Sequence, residues 1–339
     1  MHSLTLLAAL LLLACSSEDS GAQASSGGAS GSSGAAGGGG AAAMGGAGGG
    51  GGMTDAGACA PVAANSSLDV PYAAISGVDP NLLSLDVYTP ALSDGCAQVP
   101  TVIWVHGGAW AIGDKANSIG DKVKLFNAAG YTLVSVNYRL SPTKPSTDPN
   151  RVMYPTHPTD VAAAVHWVKD HSAEFHGDPK RIALLGHSAG AHLVALLGTD
   201  ESFLALHSEP LSMLRCVGSF DTEAYDVPAT LQTASAQQVQ ILENAFGTDP
   251  AVQAKASPLF HVAGGKGIPP FLIAVRGAAD RQATQLGFQK ALVDVGVSAG
   301  TVDAAGLSHE QVNSSIGASG DSVMTPKIMT FLEGCFASP

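Results

Sequence analysis

Short apolar runs alternate with segments of helical periodicity along most of this chain, beginning near Ser66. In residues 160–169 the apolar side chains recur three and four positions apart, which predicts one buried helix face. Alternation of this kind is typical of βαβ units and favours a mainly parallel sheet with helices on both faces. The runs that we predict as strands are 83–88, 101–106, 132–138, 181–186, 216–220, 271–275 and 299–303. Further helices are predicted at 189–197, 282–295 and 322–336, and residues 222–268 are a candidate lid.

The N-terminal region predicts two segments that do not belong to the globular domain. Residues 4–14 form an apolar run that is too short to span a bilayer but has the length of a signal-peptide core, so residues 1–14 are predicted to be a signal peptide. The run ends in Leu-Leu-Ala-Cys, which resembles the lipobox of bacterial lipoproteins and implies a lipid on Cys15. The alternative is a plain secretory signal with an incidental cysteine. Both predict export, and the lipobox favours the bacterial outer membrane or cell surface, with the periplasm as alternative.

Residues 15–58 consist almost wholly of Gly, Ser and Ala, which predicts a flexible tether without a core. The remaining segment, 59–339, is then a single α/β domain. Of all 339 residues, 45% are hydrophobic and 13% charged, which allows a large core. The net charge is -12 and Lys and Arg are not clustered, so nucleic acid is not expected as a partner and the membrane is expected only through the anchor.

Four cysteines remain after Cys15, and an exported protein can oxidise them. Three pairings are possible, and spacing alone does not select one. We favour Cys59–Cys96, which would join the N-terminal strands, and Cys216–Cys335, which would tie a central strand to the last helix. The cysteines are too far apart in sequence to favour a metal site.

The strongest candidate for chemistry is residues 186–190, Gly-His-Ser-Ala-Gly, between a predicted strand and a predicted helix. This pattern is typical of a nucleophile elbow, where small neighbours allow Ser188 to sit on a strained turn. The N-terminus of the following helix favours negative charge that develops beside the serine. The alternative is a glycine-containing turn without chemistry. His187 is expected to line the pocket.

A second motif, His-Gly-Gly-Ala-Trp at 106–110, directly follows a buried strand. It resembles the oxyanion loop of lipases and esterases. The N–H groups of Gly107 or Gly108 and of Ala189 are therefore the predicted oxyanion donors. Trp110 is expected at the pocket rim, with simple packing as the alternative.

The serine needs a base and an acid, which follow it in the order acid, then histidine, in such sheets. His309 is the only histidine after the last predicted strand, so it is the predicted base. Asp280 follows the strand 271–275 and is the predicted acid, with helix capping as its alternative role. Asp221 and Asp226 are the fallback acids.

Taken together, residues 106–110, 137–142, 186–193 and 309–313, with Asp160 and Trp167, resemble the feruloyl-esterase-like and hormone-sensitive-lipase-like branch of the α/β-hydrolase superfamily. The resemblance implies a twisted eight-stranded sheet, carboxylic-ester hydrolysis through an acyl-enzyme, and no cofactor or metal. Tyr138, Asp160 and Trp167 carry over as structural positions only.

The leading hypothesis is a serine carboxylesterase for short-acyl or aromatic esters, such as acetyl or feruloyl groups on small molecules or polysaccharide. One alternative is an amide-type hydrolase, because kynurenine formamidases look similar at 106–110 and 186–193. The other is a surface binding protein that has lost the chemistry.

Overall fold

The computed structural model describes residues 59–337. The predicted signal peptide, the lipidation site at Cys15 and the linker at 15–58 lie outside the described residues and stay predictions. Within the described part of the chain, no helix has the length and apolar character needed to cross a membrane.

One eight-stranded sheet forms the centre of the domain, in the order β1-β2-β4-β3-β5-β6-β7-β8. Strand β2 runs antiparallel to β1 and to β4, whereas β4, β3, β5, β6, β7 and β8 pair in parallel. The mostly parallel eight-stranded sheet is therefore confirmed. The strands are β1 (Asn65–Pro71), β2 (Ser84–Thr89), β3 (Val99–Val105), β4 (Thr132–Val136), β5 (Gly177–His187), β6 (Leu214–Phe220), β7 (Phe271–Val275) and β8 (Ala299–Asp303).

Helices cover both faces of the sheet, as predicted. Alternate residues of the central strands point to opposite faces, so Ile103 joins one apolar core and Trp104 the other. The helices are α1 (Gly120–Ala128), α2 (Thr156–Asp170), α3 (Ala189–Thr199), α4 (Glu201–Ala205), α5 (Val227–Thr233), α6 (Ala236–Phe246), α7 (Pro250–Lys255), α8 (Ala279–Asp294), α9 (His309–Ser314) and α10 (Met324–Ala337). Buried side chains of α1, α9 and α10 belong to the core that contains Trp104, and those of α2, α3 and α8 to the other.

Strand β1 and helix α1 were not predicted. Strand β1 is an edge strand whose side chains are almost all exposed, so no apolar alternation marks it in the sequence. Helix α1 places Lys122 at a buried position, which breaks the pattern that would reveal its inner face.

Both predicted disulfides are confirmed. One joins Cys59 to Cys96, and the other joins Cys216 at the start of β6 to Cys335 in α10. The second closes a long loop, with a sequence separation of 119 residues, across one face of the sheet.

Because β3, β5 and β6 are parallel neighbours, their carboxyl ends meet at one edge of the sheet. The loops that follow them carry residues 106–110, Ser188 and Asp221 respectively. This edge is where open α/β sheets place their ligands.

Candidate active site

Ser188 occupies a strained turn between β5 and α3. Its backbone has φ 57° and ψ -119°, outside the regions that L-residues favour. A Cβ at Gly186 would lie 2.5 Å from the carbonyl oxygen of Gly190, and one at Gly190 would lie 2.2 Å from that of Val105. Glycine at both positions is what lets the strand turn sharply into the helix and expose the serine.

The loop after β3 lies against this turn. A Cβ at Gly107 would approach the Cβ of Ser188 to 3.0 Å, and Gly108 has a φ of +118°, so both positions favour glycine. His106 holds the loop from within, because its Nδ1 lies 2.7 Å from the carbonyl oxygen of Gly107 and its ring stacks on Tyr138. The backbone N–H groups of Gly107, Gly108 and Ala189 donate to no acceptor among residues 59–337, which leaves them free for a ligand.

Three side chains form a continuous hydrogen-bonded chain at the carboxyl edge of the sheet. The Nε2 of His309 lies 2.9 Å from the Ser188 hydroxyl oxygen, and its Nδ1 lies 2.6 Å from Oδ2 of Asp221. A carboxylate can only accept, so Nδ1 carries the proton and Nε2 is free to accept from the serine. His309 and Asp221 are buried, whereas Ser188 is half-buried and reachable from the cavity. The predicted pairing of Ser188 with His309 is thus present in the structure.

The prediction that Asp280 pairs with His309 is wrong, and Asp221 takes that place. Asp280 lies in the first turn of α8, where it is exposed and its Oδ1 accepts from the backbone N–H of Arg281 at 2.8 Å. A carboxylate there complements the helix dipole. Asp221 directly follows β6, the immediate neighbour of the strand that carries the serine, and its backbone has φ 64°. The other fallback, Asp226, accepts from the N–H of Ala229 as the N-cap of α5.

Asp221 is fully buried and lies between two arginines. Nη1 of Arg276 is 3.0 Å from Oδ2, and Nε of Arg281 is 2.8 Å from Oδ1. Burial by itself would raise the pKa of Asp221, but the charge of Arg281, the hydrogen bond from His309 and the charge of Arg276 outweigh it and hold the pKa far below the ordinary value. Asp221 is therefore ionised at neutral pH.

Two neighbouring histidines, His187 and His106, line the site but do not belong to the hydrogen-bonded chain of Ser188, His309 and Asp221. The ring of His187 lies tilted against that of His309 and its Nε2 donates to the His309 carbonyl oxygen at 2.9 Å. Burial, together with the charge of His309, lowers the pKa of His187 well below its ordinary value, so it is neutral. Burial likewise lowers the pKa of His106.

A cavity of about 240 Å³ opens beside Ser188. Its walls combine the loop after β3 with Trp104, with polar side chains of the loop that precedes α1 and with others from α9. The lining residues are Trp104, His106, Gly107, Gly108, Ala109, Ile112, Gly113, Asn117, Ser118, His187, Ser188, His309, Glu310 and Asn313. His187 lines the cavity as predicted.

Trp110 does not line this cavity, contrary to the prediction. Its ring is buried and packs edge-on against His192 and Phe246 in the core. The backbone leaves the loop after β3 with φ 57° at Trp110, which accompanies the turn of the indole away from the cavity. The candidate lid at 222–268 contributes no lining residue either. It packs beside α3, where His192 donates from Nε2 to the Ala256 carbonyl oxygen at 2.7 Å.

Groups of side chains with metal-ligating atoms in reach of one another occur at three places among residues 59–337. One contains the Cys59–Cys96 disulfide, and one is the surface group of His166, Asp170 and Glu209, where Lys169 already pairs with Glu209. The third is His187, Asp221 and His309, where the guanidinium groups on Asp221 oppose a bound cation. The donor arrangement at this third place suits proton transfer from Ser188.

Comparison with known proteins identifies the family of this chain. Residues 85–286 match the family model BD-FAE, which is more than half of the chain. The chain belongs to the BD-FAE family. The matched part contains Ser188 and Asp221 and ends before His309. Together with the similarity to curated esterases, it confirms the resemblance to the esterase branch of the α/β-hydrolase superfamily.

The chain is similar to Esterase LipQ of Mycobacterium tuberculosis, with 37% identity over 145 residues that cover 42% of this chain and 31% of LipQ. It is also similar to the probable N-octanoylanthranilate hydrolase AqdA2 of Rhodococcus erythropolis, with 31% identity over 56% of this chain and 42% of that protein. The chain spans less than half the length of these curated relatives. Among solved structures, a truncated carbohydrate esterase from gut microbiota superposes with a TM-score of 0.61 at 19% identity, covering 80% of this chain and 96% of the other. This BD-FAE chain therefore has the fold of that esterase.

Proposed function

We propose that this protein is a serine carboxylic-ester hydrolase that acts through an acyl-enzyme. The observation that carries the proposal is the hydrogen-bonded chain from the Ser188 hydroxyl through His309 to Asp221, with distances of 2.9 and 2.6 Å. A serine hydroxyl is a weak nucleophile until a base removes its proton, and His309 supplies that base. Membership of an esterase family supports the same reaction class.

In the proposed reaction, the Ser188 oxygen attacks the ester carbonyl carbon while Nε2 of His309 takes its proton. The carbonyl oxygen becomes an oxyanion and accepts from the free N–H groups of Ala189 and of Gly107 or Gly108. The bond to the alkoxy group then breaks as His309 returns the proton to the leaving oxygen. Water, activated by His309, releases the acid and restores the serine. Asp221 stabilises the imidazolium of His309 both when the acyl-enzyme forms and when it is hydrolysed.

The cavity supports short acyl groups or a single aromatic acid as substrates. Its volume of about 240 Å³ lies below the roughly 300–1,000 Å³ of pockets for drug-sized ligands. The superposed structure is by name a carbohydrate esterase, which supports acetyl or aromatic esters on sugars as a class to test first.

An amide-type hydrolase is the second candidate. It is favoured by the similarity to AqdA2, whose name describes hydrolysis of an N-acyl bond. Amide cleavage needs the same serine and histidine, so the hydrolysis of a matched acyl ester and acyl anilide would separate the two. A non-catalytic binding protein, the third hypothesis, is disfavoured because the hydrogen-bonded chain at Ser188 is intact.

Hydrolysis of p-nitrophenyl acetate by residues 59–339, compared with Ser188→Ala, tests the proposal. We expect release of p-nitrophenol by the unaltered chain and a loss of at least about 10³-fold in the variant, because the residual rate comes only from the oxyanion donors. Equal thermal unfolding of the two proteins would show that the serine was removed without loss of fold. Equal rates in the two proteins would refute the proposal.

We also propose that the protein is exported and anchored through Cys15, as the signal and lipobox predict. The two disulfides support an oxidising compartment. Labelling of expressing cells with an alkyne fatty acid, with Cys15→Ser as control, tests the anchor. Label retained by the variant would exclude attachment at this cysteine.

A further inference from the structure

Two arginines and a glutamine surround Asp221, the carboxylate that pairs with His309. Besides the contact from Nε, the Nη2 of Arg281 lies 2.7 Å from Oδ1 of Asp221 and donates to its backbone oxygen at 3.0 Å. Arg276 contacts the other carboxylate oxygen, the one that accepts from His309. Gln285 adds a donor 3.3 Å from Oδ1. Every donor but His309 comes from the segment after β7.

That segment also reaches the loop that carries the histidine. Nε of Arg276 donates to the carbonyl oxygen of Leu307 at 3.0 Å, two residues before His309. The guanidinium of Arg276 therefore connects Asp221 to the loop that carries His309. That of Arg281 holds the backbone oxygen of Asp221, whose φ of 64° is strained for a residue other than glycine.

We propose that Arg276 and Arg281 are positioning residues that hold Asp221 against His309 and limit how strongly its carboxylate stabilises the imidazolium. The inference rests on the proposed function, since it concerns the same site.

The charges of the cluster explain the second part of the proposal. A triad carboxylate stabilises the imidazolium through its negative charge. Here two guanidinium groups oppose that charge, and Glu223, which pairs with Arg281, partly offsets them. Removal of Arg281 would strengthen the effect of Asp221 on the imidazolium, whereas removal of the Glu223 charge would weaken it.

Other ionisable groups near the histidine stay constant in these variants. His187 lies against the ring from the elbow, Glu310 follows it in α9, and Lys122 approaches α9 from α1 by donating to the Asn313 carbonyl oxygen at 2.9 Å. None of them contacts Arg281, so a change of pH profile on its substitution reports on the Asp221 cluster.

The experiment compares the pH dependence of kcat/KM for p-nitrophenyl acetate in the unaltered chain and in Arg281→Gln, Arg281→Lys and Glu223→Gln. We expect the acid limb to move up by about one pH unit in Arg281→Gln and to move down in Glu223→Gln. Arg281→Lys keeps the positive charge but loses the bidentate guanidinium contact with Asp221. The acid limb of its pH profile should therefore stay in place while kcat falls. Asp280→Asn, which removes an exposed carboxylate beside Arg281, is the matched control and should change neither the acid limb nor kcat.

A titration of the His309 ring by NMR gives the same comparison without a substrate. Inactivity of the unaltered chain would contradict the proposed function alone, and the NMR titration would still decide this inference. Acid limbs and ring titrations that coincide in Arg281→Gln, Glu223→Gln and the unaltered chain would overturn it. If Arg281→Gln does not fold, Glu223→Gln carries the test by its opposite direction.

Discussion

Substitution of Asp221 by Asn tests which carboxylate serves the site, because it replaces one oxygen with a group that donates. Oδ1 of Asp221 accepts from Arg281 at 2.8 Å, so the amide oxygen of the variant will face that guanidinium. The amide nitrogen then occupies the place of Oδ2, where it donates to Nδ1 of His309 and cannot accept from Nη1 of Arg276, which lies 3.0 Å from Oδ2. His309 is left with its proton on Nε2, which points at Ser188 and can no longer accept.

The expected cost follows from this change of tautomer. A triad that keeps its geometry but holds the wrong tautomer loses about 10⁴ in kcat, or roughly 5.5 kcal/mol of barrier. Asp280→Asn should change kcat by less than about twofold, since its carboxylate is exposed and interacts only locally. The assay is the initial rate of p-nitrophenyl acetate hydrolysis at pH 7.5 and 25 °C, with both variants checked for fold by circular dichroism.

Loss of the Asp221 charge also leaves Arg276 without its carboxylate partner and Arg281 with Glu223 alone, which costs about 3–5 kcal/mol of stability. Rates must therefore be compared below the lowest unfolding temperature. A fully folded Asp221→Asn with near-unaltered kcat, or an Asp280→Asn with the large loss, would refute the assignment.

Three further outcomes are expected. Gly190→Ala should abolish activity, because its Cβ would lie 2.2 Å from the Val105 oxygen; soluble, active variant protein would contradict this. Replacing both Cys216 and Cys335 with Ala should lower the free energy of unfolding by about 4–5 kcal/mol in urea denaturation, because the bond closes a loop with a separation of 119 residues. Burial lowers the pKa of Lys122 to about 8, so its charged form opposes folding. The unfolding free energy of the unaltered chain should therefore rise between about pH 8 and 10 relative to that of Lys122→Met. The same pH dependence of the unfolding free energy in both proteins would contradict this prediction.

Much of the fold could be predicted because the parallel strands are buried on both faces. Strand β7 agrees with its predicted apolar run to the residue, and the elbow at 186–190 is defined by glycines whose role is local. The histidine could be found by elimination, since His309 alone follows the last strand. Strand β1 and helix α1 were not predicted because neither has a clear apolar face.

The acid could not be predicted from order alone, because an aspartate follows both β6 and β7 in the sequence. Both satisfy the order of serine, acid and histidine, and strand adjacency becomes visible only in the folded sheet. One signal was available. Arg276 and Arg281 flank Asp280 in the sequence, and a segment that presents two cations is better suited to pair with the acid than to supply it.

Trapping of the covalent intermediate tests the central claim most directly. The chain, acid-quenched within milliseconds of mixing with p-nitrophenyl acetate, would be digested and its peptides analysed by mass spectrometry. The account predicts one acetyl group on the peptide that contains Ser188, and a burst of p-nitrophenol equal to the enzyme concentration if deacylation is the slow step. Turnover that proceeds through an acetyl group on another residue would contradict it.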